Sequence, residues 1–137
     1  MPEIVTLSTG WLTPAASEPS PGGRIMLMPA GDLWDAVRTS RAVGDPILER
    51  AKRDPGQSAL LGPVLRDQTA GHLYWLIPTG SAAVWPQGVR LLARGASVAG
   101  PLTAFDQSAR LVWSHLPDYP IYTSAGWLAK ALRGEWT

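Results

Sequence analysis

The chain of 137 residues contains no cysteine. That excludes disulfides, thiolate metal sites and thiol nucleophiles together. Histidine is scarce as well: His72 and His115 are the only two, so a histidine-based zinc site would need carboxylates to complete it. No apolar run approaches the roughly 20 residues that span a bilayer, and no basic start leads into an apolar signal core. The expected location is the cytoplasm, with no membrane partner. Charge of one sign is also lacking. Twelve basic and 11 acidic residues leave a net charge of +1, without the clustered basic face that duplex nucleic acid requires. Arg38, Arg41, Arg50, Lys52 and Arg53 do lie close together, but Asp45, Glu49 and Asp54 among them read as a solvated helix face.

What is present suits one domain with one core, at 45% hydrophobic and 17% charged residues. "PEIVTLSTGWL" alternates as a short strand, and "TPAASEPSPGG" (13–23) has the composition of a linker. "RIMLMPA" gives an apolar strand between Gly23 and Pro29. "GDLWDAVRTS" is open between helix and strand. A helix would put Leu33, Trp34 and Val37 on one face; a strand would set Trp34, Ala36 and Arg38 against Leu33, Asp35 and Val37. "VGDPILERAKRD" predicts a helix capped by Asp45, with Pro46 in its first position.

The second half is strand-rich. "LLGPVLRDQTAGHLYWLIPTG" predicts two strands joined by a turn around Gln68–Gly71, both apolar enough to be covered on each face. "WPQGVRLLARGASVAGPL" predicts a second strand pair, 89–93 and 97–99, around Arg94–Gly95. "ARLVWSHLP" predicts a further strand, and "TSAGWLAKALRGEW" a closing helix capped by Thr123 or Ser124 and terminated by Gly134. The expected fold class is α/β (α+β), a mixed, mostly antiparallel sheet flanked by two or three helices in a single domain.

Seven tryptophans against one phenylalanine is an unusual ratio. Trp75, Trp113 and Trp127 lie within regular apolar elements and are expected in the core. Trp34 and Trp85 stand beside turn residues and are pocket or interface candidates; Trp11 and Trp136 are candidates for contact with a partner subunit. Nucleophile elbow, phosphate-binding glycine loop, paired-histidine metal helix and dinucleotide fingerprint are all missing. "WSHLPDYP" brings His115 and Asp118 together at a strand end, where a histidine held by local backbone is the common case.

Four blocks, "MPAGDLWDAVRTS", "LLGPVLRDQTAGHLYWLIPTG", "RLLARGASVAGPLT" and "RLVWSHLP", resemble in order and spacing the N-terminal domain of bifunctional primase-polymerases, of the archaeo-eukaryotic primase type. The short actinobacterial versions are the most similar. The resemblance covers roughly residues 24 to 117, after an N-terminal strand and linker at 1–23. It implies that Asp35 occupies the first metal-binding carboxylate position and His72 the histidine beside the nucleotide phosphates. Gly95 and Pro101 would mark the turn and strand end. Val37, however, stands where the family has a second Asp, "RLLARG" lacks the third carboxylate, and one glycine instead of two precedes His72. Two-metal phosphoryl transfer needs several anionic oxygens around Mg²⁺, and Asp35 alone cannot supply them.

The resemblance therefore implies a non-catalytic binding or regulatory module, with nucleotide or single-stranded nucleic acid as partner and no cofactor, Mg²⁺ being the one alternative. The candidate ligand-binding residues are Asp35, His72, Trp34, Arg38, Tyr74, Trp85 and Arg94. An alternative is a docking module or homodimer built on a tryptophan-rich surface. A third, an enzyme of another type, would use His72, Asp35 or His115. A ligand shared by Asp35 and His72 requires both side chains to face one groove.

Overall fold

The computed structural model describes residues 10–21, 25–101 and 110–135. Its elements, in chain order, are β1 (Glu18–Pro19), β2 (Ile25–Pro29), β3 (Trp34–Ser40), α1 (Arg41–Arg53), α2 (Pro55–Ser58), β4 (Val64–Asp67), β5 (His72–Pro78), β6 (Arg90–Leu92), β7 (Ser97–Pro101), β8 (Leu111–His115) and α3 (Ala125–Leu132). The strands form two antiparallel sheets. One has the order β1-β2-β7, the other β6-β3-β5-β4-β8. Together with the helices they make one α+β domain, as the sequence leads one to expect.

At the centre, β3 and β5 pair over seven residues, from Trp34 opposite Pro78 to Ser40 opposite His72. Side chains alternate across such a ladder, so each strand feeds two cores. Trp34, Ala36 and Leu76 face the three-stranded sheet and pack with Met28, Ala30, Val98, Leu65 and Trp113. Val37, Leu73, Trp75 and Ile77 face the helices and pack with Ile47, Leu48, Ala51 and Leu128. The layers are therefore sheet, sheet and helices, with the five-stranded sheet in the middle. Both central tryptophans are fully buried, and each indole N–H finds an acceptor. Trp34 Nε1 donates to the Leu12 carbonyl (2.7 Å) and Trp75 Nε1 to Thr39 Oγ1 (3.0 Å).

This sandwiching settles residues 34–40 as a strand. A helix would bury one stripe of that segment; the strand buries Trp34 and Ala36 on one side and Val37 and Thr39 on the other. The helix that follows starts earlier than its sequence signals indicate. Ser40, not Asp45, caps α1, its Oγ accepting the Val43 N–H at 3.2 Å, and Pro46 lies inside the helix. The extra turn lays Gly44 against Leu73 and Thr39. It also frees Asp45 to grip Arg66 of β4 through two hydrogen bonds (3.2 and 2.5 Å). These contacts offset the helical hydrogen bond that Pro46 cannot make.

The strands after residue 88 also differ from expectation. β6 and β7 are not paired with each other: β6 adds to β3, and β7 adds to β2. The turn at Arg94–Gly95 carries the chain from one sheet to the other. Gly31 (φ +88°) lies under that turn, where a Cβ would sit 2.6 Å from Arg94 Cα. A local hairpin lost to two longer-range partners with more surface to bury.

Residues 13–21, which have a linker's composition, are attached to the domain. Leu12 and Pro14 are buried, and β1 pairs with β2. The Trp11 carbonyl accepts the Tyr122 hydroxyl at 2.6 Å, and the two rings stand 5.7 Å apart. The expected first strand falls at residues 2–12, of which 2–9 lie outside the described residues. α3 has the predicted cap, Ser124 Oγ accepting the Trp127 N–H, and Gly134 (φ +75°) follows its end. Just before it, residues 121–124 cross directly over Gly62. Gly62 N–H donates to Thr123 Oγ1 (2.8 Å), and Ser124 N–H donates to the Leu60 carbonyl (2.9 Å).

A Cβ on Gly62 would lie 2.4 Å from Thr123 N and 2.5 Å from the Tyr122 carbonyl carbon, both backbone atoms that cannot rotate away. Gly62→Ala is expected to cost about 2–3 kcal/mol in urea denaturation. Gly126→Ala, in α3 with open space around it, should instead stabilise by about 0.5–1 kcal/mol. Burial also pushes the Tyr122 phenol above its ordinary pKa of 10.0. Its contribution to stability is then complete below the unfolded value and is lost as pH rises through the higher folded one. As pH rises past the ordinary phenol value of 10.0, the wild type should lose stability more steeply than Tyr122→Phe, read from melting temperatures on either side of it.

Candidate functional site

The face of the five-stranded sheet that meets the other sheet is not fully covered. Register places Arg90, Arg38, Tyr74, Leu65 and Trp113 in one row across β6, β3, β5, β4 and β8. Burial falls steadily along that row. Trp113 and Leu65 are buried, Tyr74 and Arg38 are half-buried, and Arg90 is exposed. The adjacent row repeats the gradient, from buried Leu111 and Asp67 through half-buried His72 to exposed Ser40. The three-stranded sheet thus caps the β8–β4 side and leaves an open corner on the β3–β6 side.

Two arginines and two rings meet in that corner. Arg38 and Arg90 are direct cross-strand neighbours, which places their Cβ atoms about 5 Å apart on one face. Among the described residues neither has an acidic partner. Like charges so placed destabilise a sheet, by up to roughly 1 kcal/mol. An anion between them would relieve that repulsion. Tyr74 lies directly opposite Arg38 on the other side, and His72 meets Tyr74 edge to face, with ring centroids 6.3 Å apart and planes at 86°. Half-buried and flanked by guanidinium, this pair can hold a flat ring by stacking and cation–π contact.

Of the residues singled out from sequence, Arg38, Tyr74 and His72 come together here. Asp35 does not. It points to the helix side of β3, beside Val37 and Ile77, five positions along the strand from the His72 level, which is roughly 17 Å. Its buried carboxylate accepts the Gly80 N–H at 3.0 Å and holds the turn after β5. With one oxygen committed and no second acid beside it among the described residues, Asp35 does not fit a Mg²⁺ site. No group of three His, Asp or Glu side chains among the described residues could hold a metal ion. Trp34 is fully buried, not a pocket residue, because both faces of β3 are covered. Trp85 packs on the helix-side core, and Arg94 is exposed in the turn between the sheets.

Of the six described tryptophans, Trp34, Trp75 and Trp113 are buried and Trp11, Trp85 and Trp127 are half-buried; Trp136 lies outside the described residues. Trp11 is occupied by Tyr122 of its own chain. His115, on β8, faces the Gly62 carbonyl through Nδ1 at 2.9 Å, which a carbonyl permits only if that nitrogen carries the proton.

Ser40, His72 and Asp67 fall side by side across β3, β5 and β4, the residue types of a hydrolytic triad. Their side chains are otherwise engaged. Ser40 Oγ caps α1. Asp67 Oδ1 accepts the Thr69 and Ala70 N–H groups at 3.1 and 3.0 Å, while its Oδ2 lies 3.6 Å from Arg110. No relay is assembled. On the helix side, a cleft of about 270 Å³ is lined by Thr39, Val43, Pro86, Val89 and Leu132 among others, and it carries no charged side chain.

Arg90 escapes sequence reasoning because nothing in "GVRLLARG" announces a partner. Only the register of β6 on β3, Ala36 opposite Leu92, sets it against Arg38. The separation of Asp35 from the corner is testable. Asp35→Ala should lower stability by about 1–2 kcal/mol in urea denaturation, the worth of a hydrogen bond to a charged acceptor, and leave ligand binding unchanged. Lost binding at unaltered stability would instead place Asp35 at the site. No family model, curated protein or solved structure matches the chain.

Proposed function

We propose that this protein is a non-catalytic binding module that holds a nucleotide, free or as a unit of single-stranded nucleic acid, in the open corner of its central sheet. The observation that carries this reading is the Arg38–Arg90 pair, two cations set opposite each other without an acidic partner among the described residues. A phosphate between them converts a repulsion into two charge-assisted contacts. Tyr74 and His72, next along the two rows, offer the surface on which a base can stack. The site's small size and the net charge of +1 argue against a duplex ligand.

Binding without turnover is supported by the residues that chemistry would need. Asp35 is committed to a turn on the opposite face, and Ser40 and Asp67 are committed to backbone caps. Of the two residues that the primase resemblance places in one site, His72 joins the corner and Asp35 does not. The proposal therefore stands on the corner and not on the resemblance.

Calorimetric titration with nucleoside monophosphates and a short single-stranded oligonucleotide, at low salt, tests it. Arg38→Ala should weaken binding at least about tenfold, or 1.4 kcal/mol, and added salt should weaken the wild type. Absence of heat with every nucleotide and oligonucleotide would sink the proposal.

A further inference from the structure

The corner has dimensions and a charge of its own, and both select among nucleotides. Arg90, Arg38 and Tyr74 stand on three successive strands, so the row spans two inter-strand steps, about 10 Å. That is room for one phosphate, one sugar and one ring. Beyond Tyr74 the row continues as Leu65 and Trp113, both buried beneath the three-stranded sheet. Towards the next row on the other side lie Leu92, Ala36 and Leu76, also buried. Beyond β6 no further strand is paired among the described residues. Of the other arginines nearby, Arg41 leans on Asp45 at 3.8 Å, and Arg94 sits in the inter-sheet turn past the end of β6. Among the described residues a polymer finds no second phosphate position in line with the first.

The charge is equally specific. Two guanidinium groups without an acidic partner among the described residues amount to two positive charges on neighbouring strands. An internal phosphodiester brings one negative charge, whereas a phosphomonoester near neutral pH brings about −1.5 to −2. Only the monoester neutralises both arginines, and its three terminal oxygens give them one more acceptor than the two non-bridging oxygens of a diester.

Resting on the nucleotide-binding reading above, we infer that the ligand is a mononucleotide carrying a terminal phosphomonoester, with the phosphate between Arg38 and Arg90 and the base over Tyr74 against the edge of His72. Selectivity then lies in the phosphate's second charge, and Arg90 is the residue that reads it. Tyr74 contributes to every nucleotide alike.

The test compares four probes by calorimetry on the intact chain: a nucleoside 5′-monophosphate, its phosphate methyl ester, the parent nucleoside, and an oligonucleotide with a 5′-hydroxyl end. The monophosphate should bind at least about tenfold tighter than the methyl ester, the scale of one charge-assisted contact. Arg90→Ala, an exposed edge position whose fold is checked by its melting temperature, should bring the two ligands to equal affinity. Tyr74→Phe, which keeps the ring, should preserve the preference. Equal or tighter binding of the methyl ester or the oligonucleotide overturns the mononucleotide assignment and leaves the nucleotide-binding reading standing. If none of the four binds, the corner is not a nucleotide site, and both fall together.

Discussion

The structure depends on the pairing of β3 with β5. Seven consecutive residue pairs set two tryptophans on opposite faces of one ladder, Trp34 towards the second sheet and Trp75 towards the helices. Burying a ring of that size is favourable only if its N–H is satisfied, and the two acceptors come from different places. One is Thr39, on β3 itself; the other is the carbonyl of Leu12, in the segment before β1. A tail with a linker's composition is thereby recruited into the domain. The same ladder dictates which side chains share a face, and so it composes the corner where Arg38, Tyr74 and His72 meet.

The buried and half-buried acids are held by the fold. Asp35 and Asp67 are buried and satisfied by backbone N–H groups; Asp45 is tied to Arg66, which also donates through Nε to Ser114. These acids hold turns and join α1 to the sheet. Each is engaged with its own fold and none turns towards Arg38. What sets Arg38 and Arg90 apart is that they face each other across a strand pair with no acidic partner among the described residues. Such a pair weakens the free protein. An anion bound there is favoured twice, by its own hydrogen bonds to the guanidinium groups and by the repulsion it cancels.

The order of elements after residue 60 was legible because its signals are local. "DQTAG" marks a turn between two apolar runs, and Ser124 with Gly134 brackets a helix of helical period. Three features were not legible, each because distant partners decided them. Residues 34–40 carry a pattern compatible with either helix or strand, and only a covering layer on each side makes the strand the better burial. Asp45 and Pro46 are a strong helix start in isolation, yet Ser40 offers a cap one turn earlier, and Arg66 across the sheet gives Asp45 another use. "RLLARGASVAG" has the form of a hairpin, but its two halves find β3 and β2 instead. The site shows the same division. Arg38, Tyr74 and His72 could be named from sequence; Arg90 needed a register, and Asp35 was misplaced because alternation along β3 turns it away.

The division of β6 and β7 between sheets bears on how the molecule assembles. β2 and β7 are separated by about 70 residues, and closing so long a loop carries an entropic cost that weak pairing cannot meet while its ends wander freely. The collapse of the middle layer brings Ala30 and Ala96 together, and Ala30 N–H then donates to the Ala96 carbonyl. The outer sheet is thus expected to dock last and to loosen first. Leu65 and Trp113 owe their cover to that sheet, whereas the helix-side core is built without it.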